Sequence, residues 1–182
     1  MKRTVINIIY SIVCFALSVA ALVVMLKCTG LQIVPKSFSD WAYLSGHPTD
    51  YSCIQVAFGA TLQAPLVAFN ASPLLCLEPF LLFFGAFLIL FTALDSLVKR
   101  KIRVVFGVIA TLFFIGAGVL FFLNGQLFVL GTYFHQKKVL EKVLLGRITF
   151  KIGSGAIAAG ILSFVAATLT AVKTVLTIFK AL

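Results

Sequence analysis

Residues 104–123 read VVFGVIATLFFIGAGVLFFL, twenty consecutive positions without a charged side chain. They follow directly on the basic run Lys99-Arg100-Lys101-Ile102-Arg103. A helix needs roughly 20 predominantly apolar residues to cross the hydrocarbon core of a bilayer. A charge-free run of that length behind a basic collar therefore reads as a transmembrane helix. Beyond Leu123 the apolar pattern breaks at Asn124 and Gln126 and resumes over Leu127–Leu130, so the helix is predicted to extend out of the membrane toward Phe134, with Gly131 as a kink site. Upstream, residues 74–97 form a second apolar run, with Pro79 in the first turn, where a missing N–H is tolerated. Residues 5–26 form another, after Met1-Lys2-Arg3-Thr4. Ser18-Val19-Ala20 resembles a signal cleavage site, but the 22-residue run exceeds the roughly 7–15 residues of a signal-peptide core, which predicts a retained helix. Residues 152–178 make the last run.

The whole chain agrees with this reading. Of its 182 residues 62% are hydrophobic and 11% charged, against roughly half and a quarter in soluble domains. Four crossings leave room for one sizeable loop, so residues 1–182 are expected to form a single membrane domain. The expected fold is an all-α integral membrane bundle of four transmembrane helices with a small outer β-containing loop, residues 28–73. That loop begins polar and turn-rich, from Pro35 to Asp50. Then Ile54, Val56, Phe58, Ala60 and Leu62 alternate with Gln55, Ala57, Gly59, Thr61 and Gln63. The period of two predicts a half-buried strand, bent at Gly59 and ended at Pro65. Between the third and fourth helices, Val139, Leu140, Val143 and Leu144 recur at helical spacing among Lys137, Lys138, Glu141 and Lys142. This predicts a short basic amphipathic helix at the interface, ended by Gly146, with Lys137, Lys138, Lys142 and Arg147 as an outer basic surface.

The formal net charge is +10, and the basic residues cluster at the ends of apolar runs, where they meet headgroups and set topology. No stretch combines stacking aromatics with a basic groove, so nucleic acid is not expected as a partner; lipids and other membrane proteins, a second copy included, are. The shortest loop carries the densest basic cluster, which favours the cytoplasm for that loop and for both termini. Lys173 and Lys180 are counted on that side. Asn70-Ala71-Ser72 is a glycosylation sequon, which fits a lumenal or extracellular outer loop. The expected location is the plasma membrane, with the endoplasmic reticulum as the alternative. Cys14 is expected to pack inside the first helix as a small hydrophobe. For the outer cysteines the preferred pairing is Cys53 with Cys76, which would staple the strand to the second helix. Cys28 with Cys76, and three reduced thiols, stay open.

No enzymatic constellation is present. There is no Cys-x-x-Cys, the only histidines are His47 and His135, and the acids are Asp40, Asp50, Glu78, Asp95 and Glu141. No catalytic, cofactor or metal site is expected, and Glu78 and Asp95 are read as interfacial residues bracketing the second helix. The helix interiors do offer close packing. Gly155/Ala159 and Ala156/Gly160 are small-xxx-small pairs, with Gly116 and Gly118 on the third helix as the expected facing surface.

The order of elements resembles the claudin and peripheral-myelin-protein superfamily of tetraspan proteins: helix, sheet-forming outer loop with a cysteine pair, helix, basic turn, long third helix, fourth helix. Phe150-Lys151-Ile152-Gly153 followed by Gly155-Ala156 is similar to the family's aromatic-x-x-glycine entry into a small-residue helix, and residues 135–143 are similar to clarins. The claudin Trp…Gly-Leu-Trp…Cys…Cys signature is absent: only Trp41 precedes Cys53, and Cys76 lies farther on than the family spacing. The resemblance implies a non-enzymatic membrane protein that acts by lateral and extracellular contacts, at a junction or membrane domain or beside a channel or receptor. A pore-forming or transport subunit and a small subunit of an endomembrane complex are the alternatives.

Overall fold

A computed structural model of the chain describes residues 2–37, 50–53, 62–64, 67–69, 77–94, 98–139 and 148–179; residues 2–3, 62–64, 67–69, 124–139, 148 and 150 are described by backbone alone. The described residues are mostly helical, with helices α1 (Lys2–Lys27), α2 (Leu77–Ala93), α3 (Arg100–Val139) and α4 (Ser154–Ile178). Three segments, Thr4–Lys27, Arg100–Leu123 and Ser154–Ile178, are long and apolar enough to cross a membrane. The 17-residue α2 is apolar but shorter, roughly 25 Å at 1.5 Å per residue. The chain divides into two compact units, one of Met1–Val23, Pro79–Val119 and Ala159–Leu182, the other of Val24–Glu78 and Leu120–Ala158.

In the first unit each helix buries one seam with a seven-residue period. On α1 the buried residues are Asn7, Ser11, Cys14, Ser18 and Ala21; on α4 they include Ala159, Ser163, Ala166, Thr170, Lys173 and Thr177. A 3-4 alternation keeps a straight stripe facing its neighbours. Small and hydroxyl-bearing residues fill the α1 and α4 seams, Leu82, Ile89 and Phe114 are buried on α2 and α3, and Ile12 (58% exposed), Phe83 (58%) and Leu112 (61%) point outward. Large apolar groups on the outer faces and small ones in the α1 and α4 seams fit helices solvated by lipid, where close backbone approach favours association. Gly118 belongs to this packing: a Cβ there would lie 3.0 Å from the ring of Phe164 on α4. Gly116, expected on the same surface, instead meets Leu81 of α2.

The second unit holds a three-stranded antiparallel sheet in the order β2-β1-β5, formed by β1 (Thr29–Pro35), β2 (Asp50–Ser52) and β5 (Ile148–Ile152). Leu31 stands opposite both Tyr51 and Ile152, and Leu31, Ile33 and Tyr51 are buried. The next row, Asp50–Gln32–Lys151, is exposed. Thr149 Oγ1 donates to the Val34 carbonyl at 3.1 Å. The β1–β2 register slips between Thr29 and Leu31, because Gly30 lies against Cys53 so closely that a Cβ would sit 2.6 Å from that residue's Cα. Gly153 N–H donates to the Gly30 carbonyl at 2.9 Å, which ties the start of α4 to β1. A separate two-stranded sheet pairs β3 (Leu62–Ala64) with β4 (Val67–Phe69).

Several boundaries differ from the sequence reading. The main sheet is built from residues next to α1 and α4 rather than from the alternating run 54–63, of which 54–61 lie outside the described residues. Residues 148–152 form a strand, so α4 begins at Ser154 and not at 152. There Ile148, Phe150 and Ile152 alternate with Thr149 and Lys151, a period of two that suits a half-buried strand. Helix α3 runs past Phe134 to Val139; residues 140–147, with the rest of the expected amphipathic helix, lie outside the described residues.

Candidate functional site

Lys173 is the centre of the polar cluster in the first unit. The sequence reading placed it among the cytoplasmic residues, but it is 3% exposed. It falls on the α4 seam three residues after Thr170 and four before Thr177, so helical periodicity turns it inward. Its Nζ donates to Ser11 Oγ on α1 and to Thr92 Oγ1 on α2. Ser11 Oγ in turn donates to the Asn7 carbonyl at 3.0 Å, and Thr92 Oγ1 to the Ile89 carbonyl at 2.7 Å. Each hydroxyl proton is thus engaged within its own helix, and the oxygen lone pairs are left for the ammonium. Asn7 Nδ2 donates to the Thr92 carbonyl at 3.1 Å, a second tie between α1 and α2.

At the end of α4, Arg100 Nε donates to the Thr177 carbonyl at 2.8 Å and Nη2 to the Ile178 carbonyl. A cation on the last carbonyls satisfies acceptors that have no helical partner and opposes the negative end of the helix dipole. Beside Lys173 lies a cavity of about 10 Å³, lined by Thr92, Arg103, Thr170, Lys173, Thr174 and Thr177 among others. It has room for about one water. The arrangement can hold an ammonium at a fixed place inside the bundle and bind α1, α2 and α4 through it.

The second unit has its own buried polar centre. Glu78 was read as interfacial, yet it is fully buried in the first turn of α2, where a carboxylate meets the positive end of the helix dipole. Cys53 is also fully buried, and Cys28 is exposed; both are free thiols. Burial, and then the charge of Glu78 and the neighbouring Cys28, push the Cys53 thiol up to about 12. Burial also raises the Tyr51 hydroxyl above its ordinary value. Among the described residues no group of three or more histidines, cysteines and acids could hold a metal.

The other residues singled out in the sequence fall as follows. Gly155, Ala156, Ala159 and Gly160 are all buried, and Gly155 lies against Cys28 and Thr29. Cys76, Asn70, Lys142 and Arg147 lie outside the described residues, as do Trp41, His47 and Asp95. Lys137 and Lys138 belong to the last turns of α3, with their side chains outside the description. Lys173 and Glu78 were misread because both stand near the end of an apolar run, where hydropathy suggests an interface; the seam spacing was the signal that could have placed Lys173 inside. Compared with known proteins, the chain matches no family model and no curated sequence.

Proposed function

We propose that this chain is a four-span, non-enzymatic membrane scaffold of claudin and peripheral-myelin-protein-like design, acting through lateral and outer contacts in the plasma membrane with both termini in the cytoplasm. In this reading α2 supplies the fourth crossing together with its flanking residues. The observation that carries it is the division of labour on the helices. Polar groups turn inward and are engaged with one another around Lys173, while the exposed faces present large apolar side chains. A groove of about 320 Å³ on α1 and α2, lined by Phe15, Val19, Phe83 and Phe87 among others, offers an apolar surface for a lipid chain or a neighbouring helix. The cavity beside Lys173 takes about one water, which favours a scaffold over a conducting subunit.

Purification of the full chain in mild detergent after cell-surface biotinylation tests this. The expected result is a biotinylated chain that co-purifies with other membrane proteins or with itself. Retention in the endoplasmic reticulum would remove the junctional role and favour the endomembrane-complex reading. A conductance in reconstituted bilayers that changes on Lys173→Met would replace the scaffold with a pore.

A further inference from the structure

We propose that the cavity beside Lys173 is a binding site for one internal water, held by Thr170, Arg103 and Lys173. The α4 hydroxyls supply the first observation. Ser163, Thr168, Thr174 and Thr177 each donate to the carbonyl four residues back, at 2.7 to 2.9 Å. Thr170 does not follow them. It is fully buried, and its Oγ1 makes no hydrogen bond of ordinary geometry to any described residue. The Cys14 thiol of α1 lies beside it, and a thiol is a weak donor and a weak acceptor. A buried hydroxyl left without a good partner is costly, and this residue lines the cavity.

The second observation is the character of the wall. Lys173 and Arg103 line it, and both can only donate. Thr174 and Thr177 line it too, and their protons are engaged with the carbonyls of Thr170 and Lys173, so they offer the cavity only acceptors. Water serves both kinds. Its oxygen accepts from the cations and its hydrogens go to hydroxyl oxygens, which supplies the roughly two to four polar partners an internal water needs. Size decides against other occupants. A volume of about 10 Å³ is roughly the space of one water, too small for a phosphate or carboxylate group, and the two cations repel a metal ion. Bound there, the water brings Arg103 of α3 into the polar group that Lys173 holds on α1, α2 and α4. The site belongs to the packing of the bundle and does not depend on whether the chain acts as a scaffold.

The test is the sign of one substitution, made in the full chain in mild detergent and read by denaturant titration. Valine matches threonine in shape and in helix propensity but lacks the hydroxyl. Removing a hydroxyl that holds a water leaves that water short of a partner. Thr170→Val is therefore expected to raise the unfolded-to-folded ratio about tenfold, and Thr170→Ser, which keeps the hydroxyl, should raise it less. A Thr170→Val chain as stable as the parent, or more stable, would overturn the site, because exchanging an unpaired buried hydroxyl for a methyl is neutral or stabilising. A crystal structure of the parent chain then separates a water from a direct bond. The expected result is a single density peak within hydrogen-bonding distance of Thr170 Oγ1 and of Arg103 or Lys173, without anomalous signal after a bromide soak. Thr170 Oγ1 turned onto the Ala166 carbonyl, a side-chain oxygen filling the place, or a bromide signal there would each overturn it, the last in favour of an anion site.

Discussion

Lys173 sits where an apolar seam would ordinarily exclude it, and its neighbours explain how it stays. An ammonium out of water needs acceptors, and Ser11 and Thr92 provide two whose own protons are already engaged. Hydrogen bonds to a charged group are worth about 1.5–3 kcal/mol each in proteins, and interhelical bonds in membranes measure less, about 0.6–2 kcal/mol. Ser11→Ala combined with Thr92→Val is therefore expected to lower stability by about 1–4 kcal/mol, read by denaturant titration in detergent. Thr92→Ser, which keeps the acceptor, should stay within about 1 kcal/mol. Cys53 gives a second residue-level expectation. With its thiol pushed up to about 12 by burial, Glu78 and Cys28, the folded chain holds this proton where an unfolded one, titrating near 9.0, has lost it. That contribution to stability is present below pH 9 and declines as pH rises from 9 toward 12. Maleimide modification of Cys53 should accordingly be much slower than that of Cys28 at pH 7–8 and keep accelerating above pH 9, as followed by peptide mapping. A plateau near pH 9 would contradict the shifted thiol.

At the scale of elements, the glycines of α3 make a paired prediction. Gly118 faces the Phe164 ring, while a Cβ added at Gly116 would lie 3.2 Å from Leu81 Cδ1. Gly118→Leu must displace a ring from a packed seam and is expected to cost about 1–3 kcal/mol. Gly116→Leu should cost less, and thermal unfolding in detergent ranks the two. The helices were largely legible in the sequence because a run such as 104–123 has one physical solution in a bilayer. The strands were not. β5 carried a clear alternation, Ile148-Thr149-Phe150-Lys151-Ile152, but it is five residues long and lies beside a basic segment that draws attention as an interfacial helix. β1 has Gly30 near one end and Pro35 at the other, two residues that usually argue against a strand. Here Gly30 marks a bulge and Pro35 closes the strand, and neither is visible without knowing which strands pair. The seven-residue seams were readable too; Lys173 escaped because its charge, and not its phase along the helix, was used to place it.

At the scale of the molecule, topology decides what the outer contacts can be. If the sheet faces outward, a membrane-impermeant maleimide added to intact cells should label Cys28, or label it after reduction, while a cysteine introduced by Lys101→Cys at the exposed basic turn stays unlabelled until the cells are permeabilised. The opposite pattern would invert the proposed orientation. The order β2-β1-β5 carries one more consequence, for biogenesis. β1 emerges with the first helix, yet its partner β5 is 115 residues away along the chain at the Val34–Thr149 contact. A ribosome-bound chain that has completed only three helices therefore displays one edge of β1 unpaired, a backbone template for other strands. Contacts this distant in sequence form late. A chaperone or quality-control factor that senses exposed strand edges would have its longest opportunity in the interval before residues 148–152 arrive, and nascent chains truncated before residue 148 should be the forms that aggregate or are degraded.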